Sequence, residues 1–135
     1  MAALTQDRDT PQRMLGTNGS TYRLPHKSGV TIYRGALVVL DTAGAVQPGL
    51  TATGLVVAGR ARTGTADDPD NVEFDRGIFR FANSATDPVT AADWGKDVFI
   101  ADDQTVARTS GSNTRSVAGK CRGIDAAGVW VEILP

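Results

Sequence analysis

The sequence predicts an all-β protein: a compact barrel or sandwich of short antiparallel strands, with one short helical turn and an extended N-terminal arm. Short apolar segments recur from residue 30 onward, and polar turns such as DTAG, DDQ and DAAG separate them. The chain has 15 glycines but only 6% aromatic residues, a balance typical of many tight turns. Its 135 residues and net charge of −1 predict one domain with a modest core and no strong field towards nucleic acid or membrane.

The first 29 residues differ from the rest, so the predicted division is an arm over 1–29 and a β-domain over 30–135. The segment contains Pro11, Pro25 and several glycines, with few apolar residues and no period of two or 3.6. Such a segment cannot bury a core of its own. It is either a tail or an arm that becomes ordered against a partner, and its scattered apolar residues favour the arm.

The β-domain begins where the pattern changes to short apolar segments. Residues 36–40 form a continuous, partly β-branched apolar run, which predicts a buried strand rather than a helix. One helical turn is expected over residues 90–95, where Thr90 caps the turn, Asp93 follows three residues later and Gly95 ends it. Further strands are predicted over residues 30–33, 45–47, 54–62, 72–75, 78–81, 97–101, 105–107, 117–124 and 129–133.

No pattern of catalytic residues is found. The single cysteine, Cys121, excludes an internal disulfide, and the one histidine, His26, is far from it in sequence. We therefore interpret Cys121 as a small buried residue rather than a catalytic thiol. Ser110 and Ser112 lie in a polar loop without a G-x-S-x-G turn or a nearby base. No enzymatic activity, cofactor or metal is expected, nor is a membrane span or a secretory leader.

Two charged stretches need an interpretation. Five acids fall between residues 67 and 75 without the spacing of an EF-hand, so a solvated hairpin tip is favoured over a calcium loop. Four bases between residues 108 and 122 lack the interleaved aromatic residues of a nucleic-acid surface. They are interpreted as a basic face that pairs with acids of a neighbouring copy or of a partner protein. The acids are Asp67, Asp68, Asp70, Glu73 and Asp75, and the bases are Arg108, Arg115, Lys120 and Arg122.

The strand and turn phrases resemble those of the capsid decoration, or cement, proteins of tailed-phage heads. The phrases are RGALVVLDTAGAVQP, GLVVAGRA, VEFDRGIFRF, WGKDVFIADDQTV and AGKCRGIDAAGVWVEI. The spaced glycine and valine motifs of that family fall at residues 35–38, 95–106 and 119–131. The resemblance covers about residues 30–134. It implies a β-barrel-like domain, usually a trimer, at three-fold positions on the outside of an icosahedral head, without catalysis.

The expected function is therefore structural: a virion protein, made in the host cytoplasm, that binds the outside of the assembled capsid and bridges neighbouring major capsid proteins. Its expected partners are the major capsid protein and further copies of itself, with no nucleic acid and no membrane. The alternative is a surface-displayed module that binds carbohydrate or a host surface. Few aromatic residues are available for it, and the alternation of the last strand places Trp130 on the core side. The predicted partner-binding residues are Leu4, Arg8, Arg13, Met14, Leu15, Tyr22, Leu24, Arg115 and Arg122.

Overall fold

The computed structural model describes residues 3, 5–7 and 21–133, and the described chain is all-β apart from one turn of 3-10 helix. Five of the predicted partner-binding residues lie outside the described residues: Leu4, Arg8, Arg13, Met14 and Leu15. The 3-10 turn spans Ala91–Asp93. The strands are β1 Thr21–Pro25, β2 Leu37–Leu40, β3 Val46–Pro48, β4 Val56–Ala61, β5 Asn71–Asp75, β6 Gly77–Asn83, β7 Asp97–Ile100, β8 Thr105–Ala107, β9 Val117–Asp125 and β10 Gly128–Ile133.

The strands form two layers. The first is an antiparallel sheet in the order β1-β5-β4-β2-β3, and a single bridge between His26 and Val46 brings its two edge strands together at one end. The second is a closed five-stranded barrel in the order β10-β6-β8-β7-β9, antiparallel except for the short β6–β8 pair. The prediction of an all-β barrel or sandwich is therefore confirmed. Within the described residues, no helix has the length and apolar composition needed to cross a bilayer.

Strand β2 is a wall shared by the two layers. Leu37 and Val39 belong to the core of the barrel, whereas Ala36 and Val38 belong to the core of the sheet. All four are almost completely buried. Alternate residues of a strand point to opposite faces, so a strand buried on both faces must be apolar at every position. This explains the uninterrupted apolar run of residues 36–40.

The segment predicted as an arm contains a strand of the sheet. Residues Thr21–Pro25 pair with Asn71–Asp75 along their full length. The Tyr22 ring stacks on Phe74 with 5.9 Å between ring centroids, and Leu24 packs against the same core. This placement corrects the predicted boundary for residues 21–25, because a short strand needs only two half-buried side chains when its neighbour supplies the core. By contrast, residues 30–33 form no strand.

Several local predictions are confirmed. The Asp41 carboxylate accepts the N–H groups of Ala43 and Ala45 at 2.9 and 3.0 Å, which closes the predicted turn, and Gly44 has a φ of +82°. In the helical turn, the Asp93 carboxylate accepts the Thr90 N–H at 2.8 Å. Cys121 is a free thiol that is fully buried in the core of the barrel, as expected for a small filling residue.

Candidate protein-binding surface

The outside of the barrel carries a continuous row of aromatic and charged side chains across three neighbouring strands. On β10, Val129 and Val131 are fully buried, so Trp130 between them points outward and is 37% exposed. The register places Trp130 opposite Arg80 of β6, and Glu132 opposite Ile78. We call this surface the Trp–Arg face, and it consists of Ile78, Arg80, Trp94, Arg122, Trp130 and Glu132.

The position of Trp130 corrects the prediction that it lies on the core side. The alternation of core-facing and outward-facing residues along the strand was predicted, but the wrong set of alternate residues was assigned to the core. The buried positions are the odd ones, because Val129, Val131 and Ile133 fill the barrel. A barrel of five short strands has an interior narrow enough to be filled by aliphatic side chains, so the indole ring is accommodated outside.

Each tryptophan of the Trp–Arg face lies under an arginine. The Arg122 guanidinium carbon lies 4.7 Å from the centroid of the Trp94 ring, and the Arg80 carbon lies 5.5 Å from the centroid of the Trp130 ring. Both separations fall within the range of cation–π attraction. Arg122 also donates from Nε to Glu132 Oε1 at 2.7 Å, and Glu132 lies two residues after Trp130 on the same face of β10.

The Trp130 ring is also fixed at its edge. Its indole Nε1–H donates to Asp125 Oδ2 at 3.1 Å, and Arg80 lies 3.5 Å from the same oxygen. The pKa of Asp125 is lowered, first by the backbone N–H of Ala127 and then by this indole donor. The carboxylate therefore stays ionised and holds the ring in one orientation. A ring fixed in advance loses less side-chain entropy when a partner covers it.

Trp94 is held in place by the turn that precedes it. Asp93 is buried, and its carboxylate accepts the Thr90 N–H, the Thr90 hydroxyl and Arg108 Nε–H at 2.8, 3.1 and 3.3 Å. These contacts lower the pKa of Asp93, with the Thr90 N–H as the largest cause. The Gly95 N–H then donates to the carbonyl oxygen of Cys121 at 2.8 Å. The chain is thus fastened on both sides of Trp94, which leaves this ring 62% exposed above β9.

The composition of the Trp–Arg face matches that of protein-interaction hot spots, which are rich in Trp and Arg. Ile78 adds an aliphatic side chain that is 50% exposed. One face of each indole is occupied by a guanidinium, and the charges of Arg122 and Glu132 compensate each other. The surface is therefore suited to a partner that buries apolar area and supplies hydrogen bonds at its rim.

The predicted partner-binding residues that the structure describes separate into two kinds. Arg122 belongs to the Trp–Arg face. Tyr22 and Leu24 are half-buried in the sheet, and Arg115 is a structural residue of a loop beside the barrel. The Arg115 side chain is only 18% exposed and donates to Asp87 Oδ2 at 2.9 Å and to the Thr109 carbonyl oxygen at 3.0 Å.

The basic stretch and three of the five acids of the acidic stretch make ion pairs within the chain. The four bases predicted to form a face towards another molecule each make an ion pair with a separate acid of the same chain. Among the acids, Asp68 accepts the N–H groups of Asp70 and Asn71 and pairs with Arg23. Within the described residues, no group of three or more His, Cys, Asp or Glu side chains is arranged to hold a metal ion.

Comparisons with known proteins were negative. No family model matches the chain, and neither a curated protein nor a solved structure matches it. A functional interpretation therefore depends on the residues of the chain itself.

Proposed function

We propose that the chain is a head decoration protein of a tailed phage, which binds the outside of the assembled capsid and bridges neighbouring major capsid proteins. The observation that carries the proposal is the Trp–Arg face, where Trp94 and Trp130 are 62% and 37% exposed and each is held by an arginine. A rigid barrel that exposes two fixed indoles is suited to binding another protein. The strand and turn phrases that resemble decoration proteins favour the capsid as that protein.

The proposed mechanism is mechanical. A copy that contacts two capsid subunits adds its own contacts to the free energy needed to separate them. Because it binds the assembled shell and not the free subunits, it stabilises the shell by mass-action linkage. Repetition over many equivalent sites multiplies a modest free energy per copy. Self-association as a trimer is part of the proposal, since a three-fold assembly would place three Trp–Arg faces around one capsid axis.

A carbohydrate-binding module is the second candidate, and one observation now favours it. Trp130 is on the surface rather than in the core, so Tyr33, Trp94 and Trp130 are all exposed. However, sugar rings stack on the flat faces of aromatic side chains, and a guanidinium occupies one face of each indole. Because a sugar ring would compete with the guanidinium for the indole faces, protein binding is the better supported of the two candidate functions.

The test measures binding to expanded heads that were assembled without the protein. Trp94→Ala and Trp130→Ala each remove one ring of the Trp–Arg face, and Val56→Ala is the control because Val56 is 58% exposed on β4 of the sheet. A hot-spot residue contributes about 2 kcal/mol or more, so each Trp variant is expected to bind about thirtyfold more weakly in co-sedimentation. The control is expected to bind like the original protein.

Unchanged binding of both Trp variants would remove the Trp–Arg face from the capsid contact. Failure of the original protein to bind heads, combined with binding to immobilised glycans that Trp130→Ala abolishes, would favour the second candidate instead.

A further inference from the structure

Strand β6 has an edge that is open over part of its length. It pairs with β10 through Gly77–Phe81 on one side, but with β8 only at its last two residues on the other. The Ala82 N–H donates to the Gln104 carbonyl oxygen at 2.7 Å on the β8 side. Backbone groups of alternate residues point to the same edge, so those of Ile78 and Arg80 also point to the β8 side. Among the described residues, no backbone group pairs with them there, and we call them the open edge of β6.

Two arginines flank the open edge from opposite faces of the strand. The Phe79 side chain packs against the barrel core, so Arg80, the next residue, points outward. The Arg60 guanidinium comes from β4 and lies 4.3 Å from the centroid of the Phe79 ring, on the core-facing side. Within the described part of the chain, each arginine makes one ion pair, to Asp75 and to Asp125. A guanidinium has five N–H donors, so each arginine can also bind a carboxylate on an added strand.

The surface along the open edge is elongated. A groove of about 390 Å³ is lined by the consecutive residues 78–81, by Arg60 and by Trp130. A second groove, of about 380 Å³, adjoins the first at Gly35 and is lined by the exposed side chain of Tyr33. Two adjoining grooves beside unpaired backbone groups suit an extended segment better than a compact ligand.

We propose that an extended segment of the major capsid protein, with acidic side chains at two adjacent positions, adds as a strand to the open edge of β6. The inference rests on the proposed function and specifies how the capsid protein is held. Adjacent residues of a strand point to opposite faces, so one acid reaches Arg80 and the next reaches Arg60. Main-chain hydrogen bonds to Ile78 and Arg80 supply affinity, and the two ion pairs select the segment. Because Ile78 and Arg80 also belong to the Trp–Arg face, the added strand lies directly beside that face.

The chain itself does not offer a segment of this kind. Its sequence contains two pairs of adjacent acids, Asp67-Asp68 and Asp102-Asp103, and both lie between strands. Each pair is engaged there, since Asp67 pairs with Arg34 and the Asp102 carboxylate accepts the Gln104 N–H at 2.9 Å. Residues 16–20, which shortly precede β1, have the sequence GTNGS, which contains no acid and favours a tight turn. Another protein is therefore the better occupant of the open edge.

The first experiment measures hydrogen exchange of the full-length protein, free and bound to expanded heads. Strand addition is expected to slow exchange of the Ile78 and Arg80 amides at least about tenfold on heads. The Thr42 amide is the control, because Thr42 is exposed on the turn between β2 and β3, and its exchange is expected to stay the same. The free protein is measured at two concentrations, since protection by a second copy would rise with concentration.

The second experiment tests the main-chain contact. Ile78→Pro removes one N–H of the open edge, whereas Ile78→Ala shortens the same side chain and keeps the N–H. Proline is tolerated at a strand edge where the N–H has no partner. Ile78→Pro is expected to bind heads about tenfold more weakly than Ile78→Ala in co-sedimentation. Thermal denaturation checks the fold of both variants, and hydrogen exchange decides if the proline variant does not fold.

The third experiment tests the acid that faces the core side. Arg60 is not part of the Trp–Arg face, so Arg60→Gln separates strand addition from binding to that face. It is expected to bind heads about threefold more weakly at low salt, with a smaller difference at high salt. Arg23→Gln is the matched control, because Arg23 also lies in the sheet, is similarly exposed and makes one ion pair, to Asp68. The control is expected to bind like the original protein.

Unprotected Ile78 and Arg80 amides on heads that carry the protein would overturn the inference but leave the proposed function intact. Equal binding of folded Ile78→Pro and Ile78→Ala would also overturn it. Protection already present in the free protein would assign the edge to the chain's own residues if it is independent of concentration, and to a second copy if it rises with concentration. Binding of Arg60→Gln equal to that of Arg23→Gln would remove the adjacent acids from the segment. If the original protein does not bind heads, the proposed function and the inference both fail.

Discussion

The sheet and the barrel are made of similar short strands and both fasten loops with arginines, but among the described residues only the barrel also places arginines over tryptophan rings. In the sheet, Arg23 and Arg34 bind Asp68 and Asp67, which fastens the acidic loop between β4 and β5 to the rest of the layer. In the barrel, Arg80 and Arg122 lie over exposed indole rings. The arginines of the sheet thus anchor a loop, whereas Arg80 and Arg122 of the barrel also hold exposed rings in place. The surface that we propose for partner binding lies on the barrel, and residues 21–25 belong to the sheet.

This division of roles does not divide the molecule into two domains. Leu37 and Val39 of β2 fill the barrel, while Val38 between them fills the core of the sheet. Leu55, the residue before β4, and Val57, the second residue of β4, also pack against the barrel core. The sheet thus completes the core of the barrel, and we expect the two layers to unfold together.

The largest expected effect tests this cooperativity. Leu37→Ala removes a fully buried side chain from the barrel core, at an expected cost of about 2–5 kcal/mol in the free energy of unfolding. Urea denaturation followed by Trp fluorescence reports on the barrel, since Trp94 and Trp130 both belong to it, and hydrogen exchange of β1 and β5 amides reports on the sheet. Both probes are expected to shift equally. Destabilisation of the barrel alone would show that the layers are separate folding units, and the surface variant Val56→Ala is the control, at about 0.5 kcal/mol or less.

The prediction of intermediate size concerns Arg115 and Arg122, which belong to the same basic stretch of the sequence. Arg115→Ala breaks a largely buried pair with Asp87 and a bond to the Thr109 carbonyl, so it is expected to cost about 1–3 kcal/mol of stability. Arg122→Ala removes a similarly buried pair with Glu132 but no bond to a backbone carbonyl, so it is expected to cost less, about 0–1 kcal/mol, and to weaken binding to heads. Thermal denaturation and co-sedimentation with heads measure the two effects. If Arg115→Ala instead keeps its stability but binds heads more weakly, the basic stretch would belong to the proposed contact with the capsid.

The fold was predictable to the extent that local patterns determine it. The apolar run of residues 36–40 and the turn at Asp41 were sufficient to predict β2 and its end. Predicting the position of Trp130 required knowing which alternate residues of β10 face the barrel interior. That choice depends on how the barrel closes and not on the sequence of β10 alone. Strand β1 was missed because its two half-buried residues, Tyr22 and Leu24, are supported by Phe74 and Val72 some fifty residues later.

The candidate site was less predictable than the fold, because its contacts join residues that are distant in sequence. Arg122 was identified, but as part of a basic stretch. Its actual neighbours are Glu132, ten residues later, and Trp94, 28 residues earlier. A charge run in a β-protein is divided among different faces by the period of two, so sequence proximity of Arg115 and Arg122 did not imply a common surface. Exposed aromatic residues in register with arginines on neighbouring strands would have been a better signal.

The smallest expected effect concerns the acidic loop of the sheet. The Asp68 carboxylate accepts the N–H groups of Asp70 and Asn71 at 2.8 and 3.1 Å and pairs with Arg23 at 2.9 Å. The backbone N–H of Asp70 is the largest of the causes that lower the pKa of Asp68 to about 2, below its usual value of 3.8. Because the folded state favours the ionised form, this stabilisation is present above about pH 4 and is lost as the pH falls towards about 2.

Asp68→Asn removes this titration while keeping an oxygen that can accept the two N–H groups. The melting temperature of the variant is therefore expected to be lower than that of the original protein near neutral pH, and the difference should shrink between about pH 4 and about pH 2. Asp70→Asn is the control, since the Asp70 side chain lies in the same exposed loop. Thermal denaturation monitored by circular dichroism across this range measures the difference. If the difference in melting temperature is the same at every pH, Asp68 contributes through packing of the loop and not through its charge. The contrast between the ion-paired loop of the sheet and the Trp–Arg face of the barrel would then be weaker.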